Sequence, residues 1–349
     1  MAGTARIGIV GATGYVGLEL VRLLVGHGGF RLSELVSQSH VGTPFSDVHP
    51  AFRSLVDIPC SDLSVERLAQ TCDFVVTALP HGVSSVVVPQ LLDKGLRVLD
   101  HSGDFRYRDA TVYEAAYGLK HPRHDLLAEA VYGLPEFHRD RIRTARVVAN
   151  PGCYPTCTLL GLVPLLRAGL VDPATIVVDA VSGISGAGRK ADVPYLFTES
   201  AESFKAYGVT GHRHRSEIEQ ELSSAAGSPV AITFVPHLAP MKRGMLATIH
   251  ASVRPGVDEM RLRGVFRDAY GAEPFVRLLP PGVFPETRST TGTNFADLGL
   301  HLDLRTGRAT VLCAIDNLGK GAAAQALQAL NLMAGFDETQ GLRLPALAL

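Results

Sequence analysis

A glycine-rich stretch near the start of the chain constrains the fold more than any other feature of the sequence. Residues 6–10 form a short apolar run typical of a buried strand, and apolar residues after Gly17 recur at helical spacing as far as Gly26. Glycines between such a strand and helix allow a tight turn and a close approach of the backbone to phosphate. The helix N-terminus favours an anion. The stretch therefore predicts a Rossmann dinucleotide-binding unit whose cofactor contacts are Gly11, Thr13, Gly14, Tyr15, Val16 and Gly17.

The loop after the second predicted strand helps to distinguish the two dinucleotides. Residues 31–36 form this strand, and Ser37-Gln38-Ser39-His40 follows. An NAD-specific unit places an acidic residue here against the ribose 2′-hydroxyl, and this loop has none. Small hydroxyl groups leave room for a 2′-phosphate. We therefore expect Ser37 and Ser39 to contact NADP(H), although serines are also common in ordinary turns.

Two further predicted strands end in loops that carry candidate binding residues. Residues 72–79 lead into Pro80-His81-Gly82, and residues 97–100 lead into a loop that ends at Arg106. Ligands bind at the carboxyl ends of strands in parallel sheets, which places His81 and Arg106 near cofactor and substrate. Arg106 could hold a phosphate or carboxylate through two hydrogen bonds. A surface salt bridge explains Arg106 equally well, and His81 could be a simple turn residue.

Cys153 lies where a thiol is readily ionised. An apolar run over 147–149 reads as the end of a buried strand, Pro151-Gly152 interrupts it, and helical spacing of leucines follows from Cys157. The free N–H groups and positive dipole of a helix N-terminus favour a thiolate. We therefore predict that Cys153 is a nucleophile, against the alternative that it is a small buried apolar residue.

The second half of the chain shows a different pattern of elements. Strands are predicted over 175–181, 230–235 and 245–253, helices over 217–225 and 258–270, and a hairpin over 297–315. We expect a Rossmann domain over 1–150 and an α+β domain with a largely antiparallel sheet over 151–315. The C-terminal segment 316–349, with a helix near 321–334, is expected to return to the first domain.

Two loops of this second domain carry candidate chemistry. Residues 182–190 are small and end in Arg189 and Lys190, which suits an anion-binding loop or a flexible surface loop. In Gly211-His212-Arg213-His214-Arg215-Ser216-Glu217-Ile218-Glu219, Ser216 and Glu219 match a capping box, so both histidines should precede a helix. Either His214 or His212 could act as acid and base, and Glu217 could orient the imidazole.

Composition narrows the classes of partner. The net charge is −1, which gives no reason to expect nucleic acid or a membrane as partner, and no apolar run is long enough to span a bilayer. Five scattered cysteines suit a reducing cytoplasm rather than a disulfide framework. A zinc site needs about four ligands, and Cys153 with Cys157 has no second pair at suitable spacing, so no metal is expected.

Several motifs together resemble a known family. They are Gly-Ala-Thr-Gly-Tyr-Val-Gly at 11–17, Leu-Pro-His-Gly at 79–82, Asp-Phe-Arg at 104–106, Asn-Pro-Gly-Cys-Tyr-Pro-Thr at 150–156, Ser-Gly-Ile-Ser-Gly-Ala-Gly-Arg at 182–189, His-Arg-His at 212–214 and Ala-Ile-Asp-Asn-Leu at 314–318. The chain is similar over nearly its whole length to the N-acetyl-γ-glutamyl-phosphate reductases of arginine biosynthesis, within the aspartate-semialdehyde dehydrogenase superfamily. One departure is Ser216, where the family usually has proline.

The resemblance implies an activity and roles for individual residues. The activity is NADPH-dependent reduction of N-acetyl-L-glutamyl 5-phosphate to the 5-semialdehyde through a thioester on Cys153, in a homodimer or homotetramer. The resemblance assigns acid–base chemistry to the histidine loop. It also implies cofactor contacts at Pro80, His81, Ser182, Gly183 and Asn317, and substrate or phosphate contacts at Arg106, Asn150, Ser185 and Arg189.

Two other functions remain open from the sequence. Carrier-protein-linked 2-aminoadipate 6-phosphate reductases of lysine biosynthesis share the fold and resemble the stretches at 210–214 and 292–297. Residues 154–155 and the loop at 182–189 favour the acetylglutamyl enzyme. The alternative from a different class is a non-catalytic NADP-sensing regulatory protein with an inert Cys153, because Rossmann folds host many functions.

Overall fold

The computed structural model describes residues 4–189 and 191–346. Within these ranges the chain forms two compact units, the first over 4–151 with 322–343 and the second over 152–321 with 344–346. Residues 316–321 group with the second unit, although the sequence analysis begins the returning segment at 316. The reason is local, because the Asp316 carboxylate is bound by Arg243 and by the Gly292 amide, which both belong to the second unit.

The first unit is built on a parallel sheet. Its seven strands are β1 (Ala5–Val10), β2 (Phe30–Val36), β3 (Cys60–Ser61), β4 (Phe74–Thr77), β5 (Arg97–Asp100), β6 (Val131–Tyr132) and β7 (Val147–Ala149), in the order β3-β2-β1-β4-β5-β7-β6. Its helices are α1 (Tyr15–Leu24), α2 (Phe45–Val48), α3 (Val65–Thr71), α4 (Ser84–Asp93), α5 (Ala110–Tyr117), α6 (His124–Glu129), α7 (Pro135–Thr144) and α12 (Ala324–Ala334). The predicted Rossmann domain is confirmed.

Two glycines explain the sharp turn from β1 into α1. Gly11 has a φ of +90°, and a Cβ there would collide with the backbone carbonyl of Ala78. A Cβ on Gly17 would lie 2.5 Å from the carbonyl oxygen of Gly11. Because only glycine avoids both conflicts, the chain can turn directly from the central strand into the helix.

The second unit is built on a mixed sheet. Its strands are β8 (Val177–Gly183), β9 (Lys205–Ala206), β10 (Thr233–Ala239), β11 (Met245–Ser252), β12 (Val276–Leu278), β13 (Ala296–Asp303) and β14 (Arg308–Ile315), in the order β12-β13-β14-β11-β8-β10-β9. Its helices are α8 (Cys153–Arg167), α9 (Phe197–Ser200), α10 (Arg213–Ala226) and α11 (Glu259–Tyr270). Only β8–β10 and β12–β13 pair in parallel within the described residues, which confirms the largely antiparallel sheet.

Alternating burial explains how the second sheet supports α8. Along β11 every second residue, from Met245 to Ala251, is buried, while the residues between them are partly exposed. The helix α8 packs on β11 and β14, and nearly all of its residues are buried. Its first turn is therefore held rigidly at one end of the sheet. Within residues 4–189 and 191–346, no helix is both long enough and apolar enough to cross a bilayer.

Candidate active site

Cys153 is the first residue of α8. Gly152 occupies the N-cap position, and no side chain described in the structure caps this end of the helix. The first-turn amides and the helix dipole therefore act on whatever charge forms at the Cys153 sulfur. Cys153 is half-buried, whereas Cys60, Cys72, Cys157 and Cys313 are fully buried. The thiol that the sequence analysis selects is thus the most accessible of the five cysteines.

Cys157 shows what a structural cysteine looks like on the same helix. Its thiol donates to the Cys313 backbone carbonyl over 2.9 Å, and its side chain has no exposure. Burial raises the pKa of the neighbouring Cys313 thiol. Burial therefore favours the protonated form of the Cys313 thiol, and both cysteines take the position of small apolar core residues.

The imidazole of His214 lies directly against the residue before the nucleophile. A Cβ built on Gly152 would lie 2.5 Å from His214 Nε2, so the ring can occupy this position only because residue 152 is glycine. One turn further along α10, Glu217 Oε1 accepts a hydrogen bond from the Gly152 amide over 2.9 Å, and its side chain is fully buried. The hydrogen bond from Gly152 to Glu217 holds α10 against the N-terminus of α8, and His214 lies beside this contact.

His212 has a different task from His214. It is the N-cap of α10, where its Nδ1 accepts a hydrogen bond from the His214 amide over 3.1 Å. The rings of Tyr154, Tyr207 and Phe234 surround it at centroid distances of 5.4–5.6 Å. Burial, with the nearby charge of Arg213, lowers the pKa of His212 to about 4. His212 is therefore neutral near pH 7 and keeps the lone pair that capping requires.

The predicted capping box at Ser216 and Glu219 is wrong. The helix α10 begins at Arg213, so His214 belongs to its first turn, and Ser216 donates from its hydroxyl to the Arg213 carbonyl inside the helix. Glu219 accepts from the Ile232 amide. The His212 side chain caps this helix in place of the expected Ser216. The ring centroids of His212 and His214 lie 4.9 Å apart.

The loop after β8 is joined to the turn after β14. Asn317 donates to Ser185 Oγ over 2.9 Å and accepts from the Gly244 amide over 2.8 Å, and its side chain is buried. Ser182 is also buried and donates to the Gly183 carbonyl. Ser185 and Asn317 therefore form one site. Arg189, further along the loop, is exposed.

The dinucleotide motif of the first unit fits its expected ligand. The helix α1 begins at Tyr15, and no described side chain caps it, so its first amides are available to a pyrophosphate. Thr13 Oγ1 and Ser37 Oγ lie 2.9 Å apart, which joins the glycine loop to the end of β2, and Ser39 is exposed beside them. The residues present thus suit the binding of a dinucleotide.

A buried carboxylate anchors the loop that follows β4. The Gly82 and Ser85 amides each donate to Asp104 over 2.8 Å, and Tyr113 donates from its hydroxyl over 2.9 Å. The His81 Nδ1 accepts from the Gly103 amide, also at 2.9 Å. His81, and with it Pro80, is therefore held at the carboxyl end of the sheet by a residue that the sequence analysis did not select.

Arg106 joins the ends of β5 and β7. Its Nε donates to the Asn150 carbonyl over 2.7 Å, and a terminal nitrogen donates to the His101 carbonyl over 2.8 Å. The residue is only 7% exposed, so Arg106 is not a surface salt-bridge residue. The Asn150 amide group lies 3.3 Å from His101 Nδ1. Burial and the charge of Arg106 lower the pKa of His101 to about 3, which keeps this imidazole neutral.

The described part of the chain contains no group of three or more His, Cys, Asp or Glu side chains arranged to hold a metal ion. The ionisable side chains described above are a thiol, imidazoles, carboxylates and guanidinium groups. These groups are typical of acyl transfer through a cysteine, with proton movement by histidine.

Comparison with known proteins identifies the family. The model of the semialdehyde dehydrogenase NAD-binding domain matches residues 6–145, and that of the semialdehyde dehydrogenase dimerisation domain matches residues 153–317. An N-acetyl-gamma-glutamyl-phosphate reductase of Halorhodospira halophila is 51% identical over 338 residues, covering 97% of each chain. Another, of Acetivibrio thermocellus, is 49% identical and covers 98% of this chain and 99% of its own. The chain belongs to the N-acetyl-γ-glutamyl-phosphate reductase family.

Solved structures place this reductase-family chain in a wider fold group. Aspartate semialdehyde dehydrogenase II of Vibrio cholerae superposes with a TM-score of 0.72 at 18% identity, covering 95% of this chain and 99% of that one. The aspartate semialdehyde dehydrogenase of Candida albicans with NADP gives 0.69 at 16% identity, covering 95% and 100%. At these identities the likeness concerns the fold alone.

Several residues that shape this reductase-family site were missed from the sequence. Asp104 and His101 lie within five residues of Arg106, and Tyr154 follows Cys153 directly, so proximity to selected residues was the available signal. Asp316 likewise directly precedes the selected Asn317, but its partners could not be inferred from that position. Its carboxylate binds Arg243 and Gly292, which are far from it in sequence.

Proposed function

We propose that the chain reduces N-acetyl-L-glutamyl 5-phosphate to N-acetyl-L-glutamate 5-semialdehyde and phosphate with NADPH. Relatives near 50% identity over almost their full length carry the name of this reductase, and the matching family models are those of semialdehyde dehydrogenases. The observation that carries the mechanism is the half-buried Cys153 at the N-terminus of α8, beside the imidazole of His214. The aminoadipyl and sensor alternatives have no comparable support.

The first chemical step is acyl transfer to sulfur. His214 takes the proton of Cys153, and the thiolate attacks the acyl carbon, so that a C–S bond forms as the bond to phosphate breaks. The imidazolium that results returns the proton to the departing phosphate. His214 suits this role better than His212, because His212 uses Nδ1 as a helix cap and has a pKa of about 4.

Bound NADPH supplies the hydride that reduces the thioester carbonyl. The resulting oxyanion collapses and expels the Cys153 thiolate, which leaves the aldehyde, and the helix N-terminus again stabilises the thiolate. Glu217 fixes the Gly152 amide and so keeps Cys153 aligned with His214. The division into an acyl-phosphate step and a hydride step explains why a nucleophilic thiol is needed.

We propose the binding roles that the glycine motif and the resemblance to the reductase family imply for each unit. The first domain, about 1–150 with the C-terminal segment, would hold NADP(H) through the glycine motif, Ser37, Ser39, Pro80 and His81. The second domain would hold the nicotinamide through Ser182, Gly183 and Asn317. Arg106, Asn150, Ser185 and Arg189 would bind the phosphate or the substrate.

The family model of a dimerisation domain supports an oligomer, which we propose is a homodimer or a homotetramer. The five cysteines, none of them in a disulfide within the described residues, suit a reducing cytoplasm. Analytical ultracentrifugation of the purified chain tests the oligomeric state. A monomer's sedimentation coefficient at micromolar concentration would reject the proposed homodimer or homotetramer.

The function is tested in the reverse direction. Purified protein is mixed with NADP⁺, phosphate and N-acetylglutamate 5-semialdehyde, and NADPH is followed by absorbance beside aspartate semialdehyde and carrier-linked aminoadipate semialdehyde. We expect phosphate-dependent turnover that prefers the acetylglutamyl substrate. Preference for the carrier-linked substrate would move the chain to lysine synthesis, and turnover on none would favour the sensor.

A further inference from the structure

A buried ion pair lies in the second unit behind the turn that packs on the nucleophile. Asp316 has no exposed side-chain surface, and Arg243 is 23% exposed. Arg243 Nη2 lies 2.7 Å from one carboxylate oxygen, and its Nε donates to the other over 3.2 Å. A two-point arginine–carboxylate pair of this kind fixes orientation as well as distance.

The same carboxylate collects two backbone donors. The Gly292 amide donates to Oδ2 over 2.5 Å and the Leu318 amide to Oδ1 over 2.9 Å, while the Asp316 carbonyl accepts from the Gly321 amide over 2.9 Å. Asp316 therefore connects the β10–β11 loop, the segment before β13 and the turn after β14. A buried carboxylate with this many donors is a rigid junction.

The turn that Asp316 closes is in contact with Cys153. A Cβ built on Gly321 would lie 2.8 Å from the Cβ of Cys153, so the backbone of the turn packs directly against the side chain of Cys153. The neighbouring Asn317 joins this turn to Ser185 and to Gly244, which directly follows Arg243. Movement of the turn would therefore reach both the thiol and the Ser185–Asn317 site.

We propose that Asp316, oriented by Arg243, is a positioning residue that holds the Gly321 backbone against Cys153 and so fixes the thiol at the helix N-terminus. This inference rests on the proposed role of Cys153. Asp316 itself contributes no proton and touches no reacting atom. Its contribution is the placement of the turn, because small displacements of a nucleophile cost large factors in rate.

The test compares Asp316→Asn with a matched change elsewhere in the same sheet. The amide of the variant keeps the size of the side chain but replaces one acceptor with a donor that faces Arg243, Gly292 or Leu318. The control is Asp297→Asn, because Asp297 is similarly buried and forms a two-point pair with Arg277 at 2.5 and 2.9 Å. Gly321→Ala is the second variant, since it pushes on Cys153 without touching the ion pair.

Four quantities are measured on the full chain: kcat, the Kd for NADP⁺, the Tm and the pH midpoint of Cys153 alkylation by iodoacetamide. For Asp316→Asn and Gly321→Ala we expect kcat to fall at least about tenfold and the alkylation midpoint to rise, with the Kd for NADP⁺ changing by a smaller factor than kcat. Asp297→Asn should lower the Tm about as much as Asp316→Asn does, but it should leave kcat and the alkylation midpoint near wild type.

The outcomes separate this inference from the proposed function. Wild-type kcat and alkylation in Asp316→Asn would overturn the positioning role, as would equal losses of kcat in Asp316→Asn and Asp297→Asn at equal Tm. If the wild-type chain shows neither turnover nor preferential alkylation of Cys153, the proposed function itself fails. The double variant Arg243→Gln with Asp316→Asn should lower kcat no further than Asp316→Asn alone, because both changes remove the same ion pair.

Discussion

Arg106 in the first unit and His214 in the second are both assigned to the reaction, yet the protein surrounds them differently. The Arg106 guanidinium is directed at the backbone carbonyls of Asn150 and His101. The His214 imidazole lies against a glycine next to the nucleophile. The difference teaches that the charge of Arg106 is used largely to order strand ends, whereas His214 is held beside the residue that precedes the nucleophile.

The largest expected effect tests the role of Cys153 in the second unit. Cys153→Ser should lower kcat by about a thousandfold or more, because serine at this position is not ionised and cannot form the thioester. Steady-state kinetics with phosphate and the semialdehyde provide the measurement. Cys157→Ser is the control, since a hydroxyl can still donate to the Cys313 carbonyl, and it should stay within about threefold. Comparable losses in both variants would argue against a special role for Cys153.

The two histidines provide the next comparison, which lies within the second region itself. His214→Asn should lower kcat by about a hundredfold and flatten its pH dependence, because the proton carrier is lost. His212→Asn should retain most activity, since asparagine is a favoured N-cap and can accept from the His214 amide. The pH profiles of kcat for both variants decide the matter. The opposite ranking would make His212 the acid and base.

A smaller effect tests whether Arg106 has a largely structural role in the first unit. Arg106→Lys removes the forked contact to two carbonyls, so we expect the Tm to fall by roughly 2–4 °C and the KM for phosphate to rise about tenfold. His214→Asn should leave the Tm nearly unchanged. The control for the first unit is Arg146→Lys at the half-exposed pair with Glu129, where little change is expected. An unaltered Tm in Arg106→Lys would remove the contrast between the regions.

The smallest effect concerns acid stability, for which we compare one buried histidine from each unit. Burial lowers the pKa of His101 to about 3 and of His212 to about 4, from an ordinary value of 6.5. The folded state therefore binds fewer protons than the unfolded state below pH 6.5. The stabilisation is complete above pH 6.5 and is lost as the pH falls towards 4 and then 3. The Tm measured from pH 7 to pH 4 should fall less steeply in His212→Asn, and an unchanged slope would contradict the lowered pKa.

Sequence reasoning succeeded where local pattern determines structure. Gly11 to Gly17, the hairpin β13–β14 and the placement of Cys153 at a helix start all follow from periodicity and chain-breaking residues within a short window. Histidine is an uncommon helix cap, and the start of α10 was therefore predicted too late.

Contacts between distant residues could not be inferred in this way. Glu217 binds the amide of a residue 65 positions earlier, and Asp316 binds Arg243 at a separation of 73. Such pairs exist only once the second unit has folded. No spacing rule in a single sequence relates them, so the support of the nucleophile became visible only in the folded chain.

The division of the chain has a consequence for its synthesis on a ribosome. The first unit needs residues 322–343, in which Arg139 pairs with Glu338 and His27 lies 2.9 Å from Asn331, whereas the second unit lies almost wholly within 152–321. Synthesis of the first unit therefore begins before that of the second unit and ends after it. The second unit can emerge and fold while the early strands still await their last helix, which reverses the usual order in which domains mature from the N-terminus.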